Sequence, residues 1–372
     1  MDQALVLLRS LGSVTLFFLC ALAFASSKTA YADGSVTMRG AYYKERSTRV
    51  VQPMLDADLE VGENGQLQGH TLVDAITSAS AASGAAGAAF TETRTQFGAN
   101  YTHDLGTMRL GGGFRHSGEP DYTSDFFTLS LESDFAQRNT TVGINLARGM
   151  DSIDNSGSQG GISAIISGEL DTTLVSTSLS QILSPNSIAS VSYDLSYLEG
   201  FQQNIYRTVV AGGMVQPERV PETRLRHALA GTLRYYVDAS DTALIANYRF
   251  YFDDWGILAN TPEVRAIQEF FSGKLETHIS YRYHRQRAAD FYKKVYNSGD
   301  VSVEPYLTDD DKLGRVRTHT MGLKVAATLD LLGIEGGWAD VRVEALAQYL
   351  KQDTRYGDAV ISQLALVVPV DY

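Results

Sequence analysis

Cysteine is almost missing from this chain: its 372 residues hold one, Cys20. That residue lies in an amino-terminal apolar segment behind Phe18-Leu19, where a lipoprotein would carry small residues. Downstream there is no thiol, which excludes a disulfide framework and a thiolate metal site. No later segment stays apolar for the ~18 residues a membrane-crossing helix needs, which excludes a helical membrane protein. Basic residues are outnumbered, 31 Lys+Arg to 43 Asp+Glu. Phosphate binding is driven by basic surface, so nucleic acid is disfavoured as a partner. Gly-x-Ser-x-Gly, His-Glu-x-x-His, a phosphate loop, a dinucleotide fingerprint and zinc-ligand spacings are all missing. The sequence therefore points to no cofactor, no metal and no catalytic residue.

What is present begins with Arg9, an uninterrupted apolar core from Leu11 to Ala25, and the small-x-small run Ala30-Tyr31-Ala32 ahead of Asp33. This reads as a Sec signal peptide over residues 1–32, and residues 33–372 as one exported domain. Ala23-Phe24-Ala25 is a weaker cleavage site, and an uncleaved anchor helix is the competing reading.

The stretch from Arg224 to Asp254 sets the pattern of that domain. Leu225, His227, Leu229, Gly231, Leu233, Tyr235 and Val237 alternate with Arg224, Arg226, Ala228, Ala230, Thr232, Arg234 and Tyr236. After the turn Asp238-Ala239-Ser240-Asp241, Leu244, Ala246, Tyr248, Phe250 and Phe252 alternate with Ala243, Ile245, Asn247, Arg249 and Tyr251. Side chains alternate faces along a strand, so each run has one greasy face and one Arg-bearing face. Runs of about a dozen residues exceed the ~5–6 of a soluble strand. They match what a tilted strand needs to cross a bilayer.

Sixteen such runs are read from Ser35 to Tyr372, or fourteen if residues 44 to 92 hold no full hairpin. Pro53 makes the second run the least regular, and Glu63-Asn64-Gly65 carries an Asn-Gly hairpin signal. The Ala/Gly/Ser segment Ser78–Ala89 obscures the next connection. Tight turns alternate with long loops, among them Glu199–Thr223 and Ala288–Arg315. Short turns on the periplasmic side and long loops outside are the habit of bacterial outer-membrane barrels. The fold class expected is therefore all-β: a transmembrane antiparallel up-and-down β-barrel. Leu364, Leu366, Val368, Val370 and Tyr372 alternate up to a terminal aromatic, the form of strand that barrel-assembly machinery reads. Tyr193, Tyr197, Tyr248, Phe250, Phe252, Tyr281, Tyr283 and Tyr349 are read as an outward interfacial girdle.

Four motifs carry a resemblance. They are Ser117-Gly118-Glu119-Pro120-Asp121-Tyr122-Thr123-Ser124, Asp134-Phe135-Ala136-Gln137-Arg138-Asn139-Thr140-Thr141, Asp254-Trp255-Gly256-Ile257, and the run from Tyr281 to Tyr292. In this order they resemble a functionally uncharacterised family of bacterial outer-membrane proteins, a domain-of-unknown-function family. The segment near residues 78 to 89 departs from the family's usual pattern. The resemblance implies an envelope barrel and no activity.

Function is expected on the inner face. The residues placed there are Arg94, Arg109, Arg115, Arg224, Arg226, Arg234, Arg249, Arg282, Lys324 and Arg342, facing Glu132, Asp134, Asp194, Glu276, Asp340 and Glu344. Read as pore-lining, they give a net basic lumen and a mild preference for anionic solutes. The competing expectation is that these charges pair across strands and merely hydrate the wall. Asp253-Asp254 with His284 suggests a rim-located hydrolase as a further alternative. Asp309-Asp310-Asp311 with Glu304 suggests divalent-cation or lipopolysaccharide bridging, against the plain reading of a solvated charge run. The function expected is a porin-like passive channel in the bacterial outer membrane. The alternative is a plugged structural or adhesive barrel acting through its long loops. Expected partners are outer-membrane lipid, lipopolysaccharide and the assembly machinery, with a homo-oligomer left open.

Overall fold

A computed structural model describes residues 33–78, 90–154, 156, 167–205 and 207–371. The signal-peptide reading of residues 1–32, the terminal Tyr372 and most of the Ala/Gly segment lie outside the described residues.

Sixteen antiparallel strands close into one barrel. In chain order they are β1 (Asp33–Lys44), β2 (Thr48–Val61), β3 (Gly65–Ser78), β4 (Phe90–Asp104), β5 (Met108–Gly118), β6 (Tyr122–Phe135), β7 (Thr140–Asp154), β8 (Ser167–Ser184) and β9 (Ser187–Gly200). After a small separate hairpin, β10 (Thr208–Ala211) and β11 (Met214–Pro217), the wall resumes. It continues with β12 (Thr223–Val237), β13 (Thr242–Asp253), β14 (Leu258–Phe270), β15 (Leu275–Gln286), β16 (Val316–Thr328), β17 (Arg342–Gln352) and β18 (Ala359–Asp371). Each wall strand pairs with its sequence neighbour, and β1 pairs with β18 from Asp33↔Asp371 to Lys44↔Val360 to shut the ring. Closure leaves no unpaired sheet edge, the condition for a sheet in hydrocarbon.

The two faces follow from the alternation. Leu129, Ile279 and Leu364 are about two-thirds exposed (65%, 65% and 66%), and Val264 and Met321 are more than half exposed. A soluble sandwich would bury such residues; here they form the outer surface. Fully buried apolar side chains, by contrast, cluster in the loops: Val209 and Leu307 are 1% and 0% exposed. The barrel interior holds charges and cavities instead of an apolar filling.

Both described ends of the chain share one rim with the turns β2–β3, β4–β5, β6–β7, β8–β9, β12–β13 and β14–β15 and with the longer β16–β17 connection. The long β9–β12 and β15–β16 loops lie on the other, beside the short connections β1–β2, β5–β6 and β13–β14. Some connections differ from the sequence reading. The β2–β3 turn is Gly62-Glu63-Asn64, with Gly62 at φ +66° and Val61 paired to Gly65, so Asn64-Gly65 is not the central pair. β14 starts at Leu258 rather than Val264 because Pro262 is accommodated where the β14–β15 ladder lapses, between Asn260↔Arg285 and Glu263↔Arg282. Pro53 is carried the same way in β2, where the ladder lapses between Val51↔Ala75 and Met54↔Leu72. The β16–β17 connection folds two 3-10 turns, so Trp338 and Asp340 precede β17 instead of belonging to it.

Candidate functional site: the inner wall and the covered outer mouth

Two long loops meet over the barrel mouth. At the end of β9 Gly200 takes φ +120°, its N–H donates to Glu222 O at 2.8 Å, and Phe201 N–H donates to Glu169 O at 2.8 Å. The chain then runs into the hairpin β10–β11, turned by Gly212 and Gly213 at φ +60° and +79°. Positive φ at both central positions is the condition glycine meets without strain.

The second loop, residues 287 to 315, carries a short helix, α1 (Ser298–Val303), and docks on the first. Arg219 and Leu307 exchange backbone hydrogen bonds of 3.0 and 2.8 Å. Val209, Ala211, Tyr296 and Leu307 make a small dry core between the loops. The Tyr296 hydroxyl donates to Phe291 O at 2.7 Å and accepts from Thr308 N–H at 2.8 Å.

An ionic clasp carries this pair of loops across the opening. Arg207, 4% exposed, places Nε 3.2 Å from Asp310 and also bonds the Tyr356 hydroxyl. Tyr356 belongs to the β17–β18 loop, with six wall strands, β12 to β17, between it and the β9–β12 loop that supplies Arg207. Arg355 puts its backbone N–H 2.7 Å and its Nε 3.1 Å from Asp311. Burial works against the Asp311 charge, yet these bonds hold its carboxyl below the usual range. From the first connection, Arg46 N–H donates to Tyr356 O at 3.1 Å. The run Asp309-Asp310-Asp311 is thus not a solvated tract: Arg207 and Arg355 take up its charges.

Beneath the lid a cavity of about 630 Å³ is bounded by Arg224, Arg226, Glu218, Asp310, Glu119 and Tyr122. Glu218 is nearly buried, its Oε2 has no hydrogen-bond partner, and burial beside Asp310 pushes its carboxyl up to about 7. One wall is a knot at the end of β13. Asp253 accepts from Arg224 Nε at 2.9 Å, the Tyr251 hydroxyl at 2.7 Å, and the N–H groups of Trp255 and Ile257 at 3.1 and 2.9 Å. The Arg224 guanidinium lies 4.1 Å over the Trp255 ring. Asp254 accepts from Leu225 N–H at 3.0 Å, and His284 is paired with Thr261 at 2.8 Å. The Asp–His arrangement a rim hydrolase would need is not made, because each member is committed elsewhere.

The remaining inner-face residues fall into two groups. Most are paired. Arg94 meets Asp74, Arg109 meets Glu132 and Asp134, and Arg282 meets Glu263. Lys324 meets Glu344, Arg342 meets Glu276 and Glu344, and Asp194 accepts from the Ser176 hydroxyl. Arg115, Arg226, Arg234 and Arg249 have no carboxylate partner among the described residues; Arg115 stacks on Phe126 at 4.8 Å and Arg249 on Tyr251 at 5.7 Å.

The net basic lumen of the sequence reading needs correcting. Asp56, Asp58, Asp74, Glu92, Asp253 and Glu263 share the inner face. They were missed because β2 and β14 carry prolines, β4 begins before Arg94, and Asp253 passed for a rim acid. Asp340 leaves the face altogether, since it lies in the turn before β17. The outward aromatics are as expected, with Tyr248 and Tyr349 almost half exposed. His227, placed on the greasy face by the alternation, stacks on Phe252 at 4.5 Å and pairs with the Tyr193 hydroxyl at 2.7 Å; unforeseen is His319, which pairs with Tyr281 likewise.

The profile of the family described as "Protein of unknown function (DUF3570)" matches residues 86–171 and 161–368. No curated protein matches the sequence. Among solved structures, one titled "Bacterial polysaccharide outer membrane secretin" is similar at 9% identity and TM-score 0.52, covering 90% of this chain and 97% of its own. A BenF-like porin from Pseudomonas fluorescens is similar at 10% identity and TM-score 0.47, covering 92% and 99%. OccK2 from Pseudomonas aeruginosa, in complex with glucuronate, is similar at 10% identity and TM-score 0.45, covering 91% and 98%. At such identities what is shared is the fold.

Proposed function

The chain belongs to the DUF3570 family, whose function is unknown, and on its geometry we propose a passive, porin-like channel for small polar solutes across the bacterial outer membrane. One observation carries the proposal: a closed ring of sixteen strands with a charged inner face and no apolar filling. Barrels of ~16–18 strands are wide enough for an aqueous passage. The covered mouth makes the loops the constriction. Outer-membrane lipid and lipopolysaccharide around the apolar band, and delivery by assembly machinery acting on β18, belong to the same proposal.

A mild preference for anionic solutes is the finer part. It is supported by Arg115, Arg226, Arg234 and Arg249, because paired charges cancel at short range and unpartnered ones set the wall potential. Single-channel recording in planar bilayers tests both parts. Discrete conductance steps are expected, with a reversal potential under a salt gradient on the anion side. Arg226→Ser with Arg249→Ser should move that potential toward cations. A silent wild-type protein would overturn the channel, and cation preference would overturn the anion reading.

The second reading, a plugged barrel acting through its outer loops, is favoured by the dry core within the lid. It predicts no conductance in the wild type.

A further inference from the structure

A cluster of carboxylates outside the lid clasp has chemistry that the channel reading does not use. Glu92 on β4, and Glu119 and Asp121 in the β5–β6 connection, each offer an oxygen within 4.8 Å of the other two. Glu92 and Asp121 are buried, at 6% and 3% exposure. Ionised carboxylates this close repel strongly, and burial removes the water that would screen them.

The positive charge the structure brings here is Arg94. Its Nε lies 2.7 Å from Asp74 and 3.9 Å from Glu119, so Asp74 holds it first. Asp74 supplies an independent sign of a missing ligand. It is 2% exposed, one of its oxygens is committed to Arg94, and the other, Oδ1, is buried with no hydrogen-bond partner. Asp74 and Glu119 therefore share one guanidinium at the outer end of β3–β6, with Glu92 and Asp121 close beside Glu119.

We propose that Glu92, Glu119 and Asp121, with Asp74 beside them, form a calcium-binding site that ties β3, β4 and the β5–β6 connection together at the outer rim. Oxygen ligands bound at ~2.3–2.6 Å around one calcium ion lie no more than roughly 5 Å apart, which is the spacing found. The donor set is all oxygen, without imidazole or thiolate, and this selects a hard cation over zinc or copper. Magnesium demands a tighter octahedron and gives up its waters reluctantly, so it should bind more weakly. Glu119 and Asp121 also border the cavity beneath the lid, which gives the ion an aqueous route.

Calorimetric titration of calcium chloride into the refolded full barrel, in detergent and free of lipopolysaccharide, tests the site. One calcium per chain is expected. Glu119→Gln with Asp121→Asn should weaken binding at least tenfold, while Glu304→Gln in the lid should leave it unchanged. Glu119→Gln alone, at a half-buried position, covers the case in which the double variant does not fold. Absence of calcium binding by the wild type overturns the site. So does binding that a folded Glu119→Gln or double variant leaves untouched.

Discussion

Asp253 shows how much one side chain decides in this wall. Its two oxygens gather hydrogen bonds from Arg224, Tyr251, Trp255 and Ile257, fixing the guanidinium, the end of β13 and the tight turn at Gly256 together. Arg224 is 8% exposed, and its other face is covered by Trp255. Asp253→Ala would leave that guanidinium buried without its counter-charge, a loss of about 3–5 kcal/mol in comparable buried pairs. Urea unfolding of the refolded barrel in micelles should show a drop of that order. Asp253→Asn, which keeps one acceptor oxygen and loses the charge, should fall between alanine and wild type. A drop below about 1 kcal/mol would place the pair among solvent-screened bridges. The sequence singles out Asp253 as half of an acid pair, but not its partner. The partner is set by register: Arg226 stands opposite Asp253, which brings Arg224 from 29 residues upstream alongside it. A reading without register instead joins Asp253 to His284, which Thr261 occupies.

Among the elements, the lid is the least like the rest, because its stability is local and titratable. While docked, Glu218 has its carboxyl held up to about 7 by burial and by Asp310 and Asp309, against the pull of Thr308 and Arg207. Once undocked, it would return toward the ordinary value of 4.5. Between these values the docked state binds more protons than the undocked one, so docking is strongest in acid and weakens as pH rises through 7. Channel open probability is therefore expected to climb between about pH 4.5 and pH 7 and to level off above that. Glu218→Gln, neutral throughout, should flatten that climb and keep the lid shut; a climb that survives the substitution would place the titration elsewhere. Elements of this kind are only partly legible in sequence. The long connections Glu199–Thr223 and Ala288–Arg315 are recognisable as segments long enough to fold inward, and Gly212-Gly213 marks a turn. That Val209 and Leu307 bury each other, and that Arg207 reaches Asp310 and Tyr356, depends on loops separated by four wall strands, β12 to β15, and for Tyr356 by two more, meeting in space. The wall strands are legible for the opposite reason: each carries its own two-residue period, and each pairs with its sequence neighbour.

For the whole molecule, closure turns a local alternation into a global constraint. With the ring shut, every strand must show the same face to lipid, and a slip of one residue in any strand would put its arginines in hydrocarbon. This is why the fold and the outward residues can be read from the sequence, while the balance of charge inside cannot: missing the inner acids of β2, β3, β4, β13 and β14 is enough to remove the expected positive excess. The constraint can be tested with two substitutions near the middle of β12. Leu229 is on the outer face, 47% exposed without its lipid, and Thr232 is on the inner face, where it bonds Asn247 at 2.7 Å. Leu229→Arg should cost about 2–4 kcal/mol, the expense of an arginine at mid-bilayer depth. Thr232→Arg changes the same charge on the same strand but meets a polar wall, and should cost only the lost hydrogen bond, about 1 kcal/mol. Urea titration of both variants refolded into lipid vesicles measures the difference directly. In detergent micelles too small to impose a bilayer depth the gap should narrow, since the arginine can reach water around the rim. Equal losses in vesicles would mean that the two faces of β12 meet the same medium, and the lipid-facing assignment of the outer surface would fail with them.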